Sequence, residues 1–174
     1  MQVPWVMTVI GKDRPGLVES VARLVADHGG NWLESRMCRL GGEFAGILRV
    51  RVPGTQESAL GQALLGLQAQ GLRVVVQPDL DPSAPTPSRQ ASLEVVGQDR
   101  PGIVRQISAA LARQQVNVEE FSSECSSAPM SGETLFIARA HLRIPESCNA
   151  ADLRQELEQI AADLLVDIGF DEIA

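Results

Sequence analysis

Two tetrapeptides, Asp13-Arg14-Pro15-Gly16 and Asp99-Arg100-Pro101-Gly102, combine residue types that could hold a small charged ligand. Each follows an apolar, β-rich run and precedes a helical pattern that opens on Leu17 or Ile103. Free amide hydrogens at a helix start attract a carboxylate, and an aspartate beside them can accept from an ammonium group. Such a turn would complement a zwitterionic amino acid. A purely structural reading also exists, because Asp caps a helix N-terminus at about 1 kcal/mol and Pro suits the first helical turn. Capping alone tolerates many neighbours, whereas here four residue types recur as a block, with a glycine that permits close approach of a ligand or another backbone. Asn31 and Asn117 add a second pair, each carrying donors and acceptors at the start of a strand, where a neighbouring domain could supply a groove. The alternative for them is a turn after a helix, since Asn tolerates left-handed geometry.

The remaining reactive side chains form no comparable pattern. His28 falls at a helix C-terminus, where a surface histidine is commonplace and the dipole favours a cation. His141 aligns with Arg49 on a strand's polar side, and Arg49, Arg51, Arg139 and Arg143 should share one sheet face, snorkelling or pairing with acids of a neighbour. Cys38, Cys125 and Cys148 are odd in number and widely spaced, which suits reduced thiols in the cytoplasm better than disulfides. No zinc-type spacing, nucleophile elbow or Walker loop is present. The expectation is therefore no catalytic residue, no metal and no cofactor.

The elements that must position the turns follow from an internal repeat. Gly11-Lys12-Asp13-Arg14-Pro15-Gly16-Leu17-Val18 matches Gly97-Gln98-Asp99-Arg100-Pro101-Gly102-Ile103-Val104 at an offset of 86, and Val21/Ile107, Val25/Leu111, Asn31/Asn117 and Glu34/Glu120 keep that offset. Gly42-Glu43 then matches Gly132-Glu133 at 90, and Arg51-Val52-Pro53 matches Arg143-Ile144-Pro145 at 92, which predicts an insertion around Ser126 to Ser131.

Each copy reads as strand, helix, strand, strand, helix, strand. In the first, Leu17, Val21, Leu24 and Val25 recur with helical spacing after the strand Val3 to Ile10, and Gly29-Gly30 stops the helix. Asn31 to Leu40 and Glu43 to Val52 form a hairpin about Gly41-Gly42, with Leu48, Val50 and Val52 alternating against Arg49 and Arg51. A helix from about Gln56 to Gln70 turns Leu60, Leu64 and Leu67 inward, and Gly71 ends it before the strand Leu72 to Gln77. The last helix of the second copy carries Leu153, Leu157 and Ile160.

This order predicts an α+β chain of two ferredoxin-like βαββαβ domains, each an antiparallel sheet with both helices on one face. The expected boundaries are 1–80 and 91–174. The stretch 81–90 holds three prolines in ten residues and no large apolar side chain, and is expected to be a linker. Domains this small gain stability by pairing, so a homodimer is expected.

Composition narrows the partners. With 15 basic and 22 acidic side chains the net charge is −7, which argues against a nucleic-acid binder. Residues 1–80 carry 8 basic and 7 acidic groups, whereas 91–174 carry 6 and 14. The second half thus repels DNA, and its acids could steer a basic partner. No apolar run approaches the roughly 20 residues of a membrane span and no signal-like N-terminus precedes the first strand, so a cytoplasmic protein is expected.

The repeated Gly-x-Asp-Arg-Pro-Gly-[Leu/Ile]-Val, followed by a helix and an Asn at the second strand, resembles tandem ACT domains. Asp27-His28-Gly29-Gly30-Asn31 and Gly41-Gly42-Glu43-Phe44 resemble the glycine cleavage system transcriptional repressor family in particular. That resemblance implies amino-acid sensing at domain or subunit interfaces, and regulation through a protein partner rather than by DNA contact. It implies a ligand of the glycine or serine class and a transcription factor or enzyme as listener. Carried onto this chain, the ligand residues would be Asp13, Arg14, Pro15, Gly16 and Leu17 with Asn31, and Asp99, Arg100, Pro101, Gly102 and Ile103 with Asn117. One departure is Gln114-Gln115-Val116, where the first copy has its Gly-Gly helix stop. Two other readings stay open. One is an ACT subunit docked on a metabolic enzyme. The other is an acylphosphatase-like hydrolase using Arg14 and Asn31, which Pro15 disfavours by removing a backbone donor.

Overall fold

The computed structural model describes residues 1–79, 87–127 and 133–173. The chain divides into two compact units, Met1–Pro82 and Ser83–Ala174. In the first, β1 (Gln2–Lys12), α1 (Leu17–Asp27), β2 (Asn31–Leu40), β3 (Glu43–Pro53), α2 (Glu57–Gly66) and β4 (Leu72–Pro78) build a sheet of order β2-β3-β1-β4. In the second, β5 (Ser88–Gln98), α3 (Ile103–Arg113), β6 (Asn117–Ser127), β7 (Thr134–Pro145), α4 (Ala150–Leu164) and β8 (Val166–Ile173) repeat it as β6-β7-β5-β8. All the pairings are antiparallel. The predicted α+β ferredoxin-like architecture is the observed one.

Period-two alternation decides which face each sheet buries. In the first domain Met7, Val9, Leu48, Val50 and Val52 are buried with Leu17, Val21 and Val25 of α1 and Leu60 and Leu64 of α2. In the second, Leu93, Val95, Leu142 and Ile144 meet Ile103, Ile107 and Leu111 of α3 and Leu153, Leu157 and Ile160 of α4. The opposite faces stay exposed, with Ile10, Ile47 and Val75 on one and Glu94, Arg139, His141 and Asp171 on the other.

Several sequence expectations are corrected. Ser88, Arg89 and Gln90, expected in the linker, open β5 and pair with Pro145, Ile144 and Arg143. Most of the expected linker, 81–86, lies outside the described residues. Ser126, expected in the insertion, instead stands at the register place of Leu40, opposite Leu135, whereas Ser127, opposite Thr134, lies one rung beyond the first hairpin's last pair, so the extra residues begin there. The sheet registers place Phe44 opposite Gly11 and Phe136 opposite Gly97, so the offset is already 92 at the start of β7. The Gly-Glu match at 90 is a coincidence of sequence. The expected second helix is α-helical only through Gly66 and tightens to a 3-10 turn over Leu67–Gln70.

Helix ends explain the sequence departure before Asn117. After α1, Gly29 takes a left-handed φ of 68°, and the amides of Gly29 and Gly30 donate to Ala26 and Val25. Gln115 holds the same place at φ 56°, with Gln115 and Val116 donating to Ala112 and Leu111. Leu165 likewise sits at φ 55°, one residue before β8, where the first domain has Gly71 before β4. A left-handed side-chain residue costs about 1 kcal/mol relative to glycine. Gln115→Gly and Leu165→Gly should therefore each stabilise the second domain by about 0.5–1 kcal/mol in urea unfolding followed by circular dichroism.

Candidate functional site

Each Asp-Arg-Pro-Gly turn bridges the end of one strand and the start of a helix, and the two are built alike. The Asp13 amide donates to Gly42 at 3.0 Å and the Asp99 amide to Thr134 at 2.9 Å, which ties each turn to the facing hairpin. Gly16 and Gly102 follow in left-handed geometry, at φ 89° and 99°. Their carbonyls accept from the amides of Ser20 and Gln106 at 2.9 and 3.0 Å, so the helices start at Leu17 and Ile103. Neither aspartate caps a helix: the N-cap residues are the glycines, with no side-chain cap hydrogen bond. Neither proline lies within the first helical turn. The structural alternative for these residues thus fails in its stated form.

What the turn presents is an exposed Asp, Arg and Pro beside the first, unpaired amides of a helix. The partners differ between copies. In the first domain Arg39 Nε donates to Asp13 Oδ2 at 2.6 Å, and Arg14 Nη2 donates to the Gln70 carbonyl at 3.2 Å. In the second, β6 carries Cys125 at the register position of Arg39, opposite Phe136 as Arg39 is opposite Phe44. Asp99 has no ion pair among the described residues, and Arg100 donates to its own neighbour Gln98 at 3.1 Å. The second carboxylate is thus the less committed of the two.

Asn31 and Asn117 lie elsewhere. Asn31 faces Arg51, which faces Pro4, whereas the turn follows Lys12 at the other end of β1. Asn117 faces Arg143 in the same way. At about 3.3 Å per residue, the length of β2 puts roughly 30 Å between Asn31 and the turn. Within one domain the structure therefore does not bring the asparagines to the turns.

Sequence reasoning also missed neighbours of the first turn. An open hollow of about 360 Å³ beside it is lined by Ile10, Gly11, Lys12, Glu43, Gln68, Gly71 and Arg73, and by none of Asp13 to Leu17. Lys12 and Glu43 close an ion pair across it. A basic residue two positions after an apolar strand gave no signal of this.

Three of the four arginines expected to snorkel or to reach a neighbour's acids, Arg49, Arg139 and Arg143, are paired within their own domain. Arg49 bonds Glu34 and Asp79, whose hydrogen bonds push its pKa further up, while Arg139 pairs with Glu94 and Arg143 with Glu119. His28 Nδ1 donates to the Leu24 carbonyl at 2.8 Å and finishes α1. Several acids of the last helix and tail are also engaged, Glu156 by Arg113 and Glu172 by Arg89. Cys38 and Cys125 are exposed, whereas Cys148 is buried and burial pushes its thiol pKa up. Among the described residues no group of three or more His, Cys, Asp and Glu could hold a metal, and no helix is long and apolar enough to cross a membrane.

Two βαββαβ units with matching turns at their helix starts define a chain of two tandem ferredoxin-like domains, and the family models agree. The ACT domain matches residues 4–77 and, separately, residues 91–162, so the chain belongs to the ACT-domain family. It is 28% identical over 166 residues to the glycine cleavage system transcriptional repressor of Escherichia coli (strain K12), covering 91% of this chain and 84% of that one. The Shigella flexneri protein of the same description matches equally. A crystal structure of an unknown protein from Galdieria sulphuraria superposes with a TM-score of 0.85 over the whole of both chains at 29% identity. One of a candidate glycine cleavage system transcriptional repressor gives 0.71 at 22% identity, over 99% of this chain and 98% of that one.

Proposed function

We propose that this chain is a non-enzymatic, amino-acid-responsive regulator, similar in role to the glycine cleavage system transcriptional repressors it resembles. It binds a small amino acid of the glycine or serine class and acts through a protein partner, as a homodimer in the cytoplasm. The observation that carries this reading is the turn itself. It is built twice to one geometry, with a solvent-facing carboxylate beside unpaired helix amides, and neither feature is used to cap the helix. A ligand carboxylate is suited to the amides and its ammonium group to Asp13 or Asp99. Asn31 and Asn117 can join such a site only from a different domain. Ligand acts on the partner by preferring one arrangement of the protein, because only a difference in affinity shifts a population.

Calorimetric titration of the full chain with glycine, serine and other amino acids tests the reading. Asp99→Ala should weaken binding about tenfold or more, since a hydrogen bond to a charged group is worth about 1.5–3 kcal/mol. Asp13→Ala should lose less, because Arg39 already occupies one of its oxygens. No heat of binding with any amino acid sinks the proposal.

A further inference from the structure

Each sheet leaves one face uncovered by its helices, and the registers show that the two open faces differ in the sign of their charge. On the first, Ile10, Ile47 and Val75 stand 44%, 55% and 49% exposed. Arg49 beside them is neutralised by Glu34 and Asp79, whereas Arg51 and Arg73 have no ion pair among the described residues. On the second, Glu94 pairs with Arg139, whereas Glu124, Asp167 and Asp171 have no ion pair among the described residues. Arg73 stands opposite Ile10 and Asp167 opposite Val96, so one register place holds a cation in the first copy and an acid in the second. Cys38, opposite Ala45, likewise gives way to Glu124, opposite Ile137. The counterpart of Arg51 is Arg143, which Glu119 neutralises.

We infer that the open sheet face of the first domain is an interaction surface for the open sheet face of the second domain in another copy of the chain, an inference that rests on the homodimer reading above. Two first faces do not suit each other, because Arg51 and Arg73 would confront cations, and two second faces would confront acid with acid. Like charges brought together at an interface select against that pairing. The crossed contact sets unpaired cations against unpaired acids, and it covers Ile47 and Val75 with a face that carries Val96, Ile137 and Ile173. A twofold axis repeats the contact and closes the assembly at two copies. Each sheet has four strands. With strands about 4.8 Å apart and about 20 Å long, one face measures about 400 Å². Two crossed contacts therefore bury about 1,600 Å² in all, the size of a standard stable interface.

Sedimentation velocity of the full chain over a concentration series, with two charge-reversed variants, tests this. The wild type should dimerise. Arg73→Glu and Asp167→Arg should each weaken dimerisation at least about tenfold, since either reversal sets like charges against each other in both contacts. An equimolar mixture of the two variants should recover the wild-type dimer, because the mixed dimer has both reversals in one contact and neither in the other. Arg51→Glu and Asp171→Arg, a second pair on the same two faces, decide the matter should circular dichroism show either of the first variants misfolded. A wild-type chain that stays monomeric at every concentration would overturn the inference together with the homodimer. A folded variant that dimerises as tightly as the wild type, or a mixture that stays as dissociated as its components, would overturn the crossed contact and leave the homodimer standing. Amino-acid binding, read by calorimetry at Asp13 and Asp99, stands or falls independently of all of them.

Discussion

Leu48→Ala should lower the stability of the first domain by about 3 kcal/mol, within the roughly 2–5 kcal/mol usual for truncating a buried leucine. Leu48 is 1% exposed, on the central strand β3 between Trp32 and Met37 of the edge strand and Met7 of β1. The edge strand beside it is already closely packed, since Gly46 lets Met37 lie so near that an added Cβ would stand 2.5 Å from Met37 Cγ. The registers equate Leu48 with Ala140. The mirror exchange, Ala140→Leu, should be neutral or stabilise the second domain by about 1 kcal/mol, since it enters a pocket beneath α3 that is already there. Trp5 and Trp32 are the chain's only tryptophans, so urea unfolding followed by fluorescence reports on the first domain. The second is followed by hydrogen exchange. Equal losses from the two exchanges would mean that the difference in packing between the copies is immaterial.

The contrast also shows which features were legible before the structure. Leu48, Val50 and Val52 against Arg49 and Arg51 is a period-two pattern that only a half-buried strand explains, and Gly71 marked a left-handed stop that it does occupy, at φ 81°. Such signals are local. The features that were missed depend on residues far apart in the chain. Arg39 reaches Asp13 across 26 positions, and a motif read in isolation gives no hint of it. Gln115 adopts the geometry of Gly29 although nothing in its type favours that, and the same pair of helix-end hydrogen bonds, from Gln115 and Val116 to Ala112 and Leu111, closes α3 there. The separation of Asn31 from the turn was implicit in the element order. An 11-residue helix carries the chain back along the sheet before β2 begins, so the start of β2 must lie at the far end. The place of the turn between strand and helix was legible, but the failure of the capping reading was not, since the left-handed Gly16 moves the helix start to Leu17, beyond Pro15.

Gly11→Ala is expected to cost the first domain about 3 kcal/mol, at the upper end of what an inserted methyl usually costs a packed interior. A Cβ on Gly11 would lie 2.4 Å from the Gly71 carbonyl oxygen and 3.2 Å from Leu72 Cα, both backbone atoms of the segment that enters β4. Backbone cannot rotate aside as a side chain can, so the strands must part where β1 and β4 pair. Gly16 makes a useful comparison. Nothing lies within 4 Å of its Cβ position, and its requirement is conformational, φ being 89°. Gly16→Ala should therefore cost only about 1 kcal/mol. Fluorescence-detected urea midpoints would rank the two, and a loss at Gly11 no larger than at Gly16 would refute close packing as its cause. The ranking bears on function because it separates the parts of the repeated motif. Gly97 is crowded in the same way, its Cβ position lying 2.5 Å from Val166 Cγ1, so the first glycine of each copy is accounted for by strand packing. The last glycine of each is accounted for by the backbone turn. Asp99 and Arg100 stand exposed in the same block, and neither strand packing nor helix capping in the second domain requires them. Residues that a fold does not need, repeated beside ones that it does, are where a ligand is to be sought.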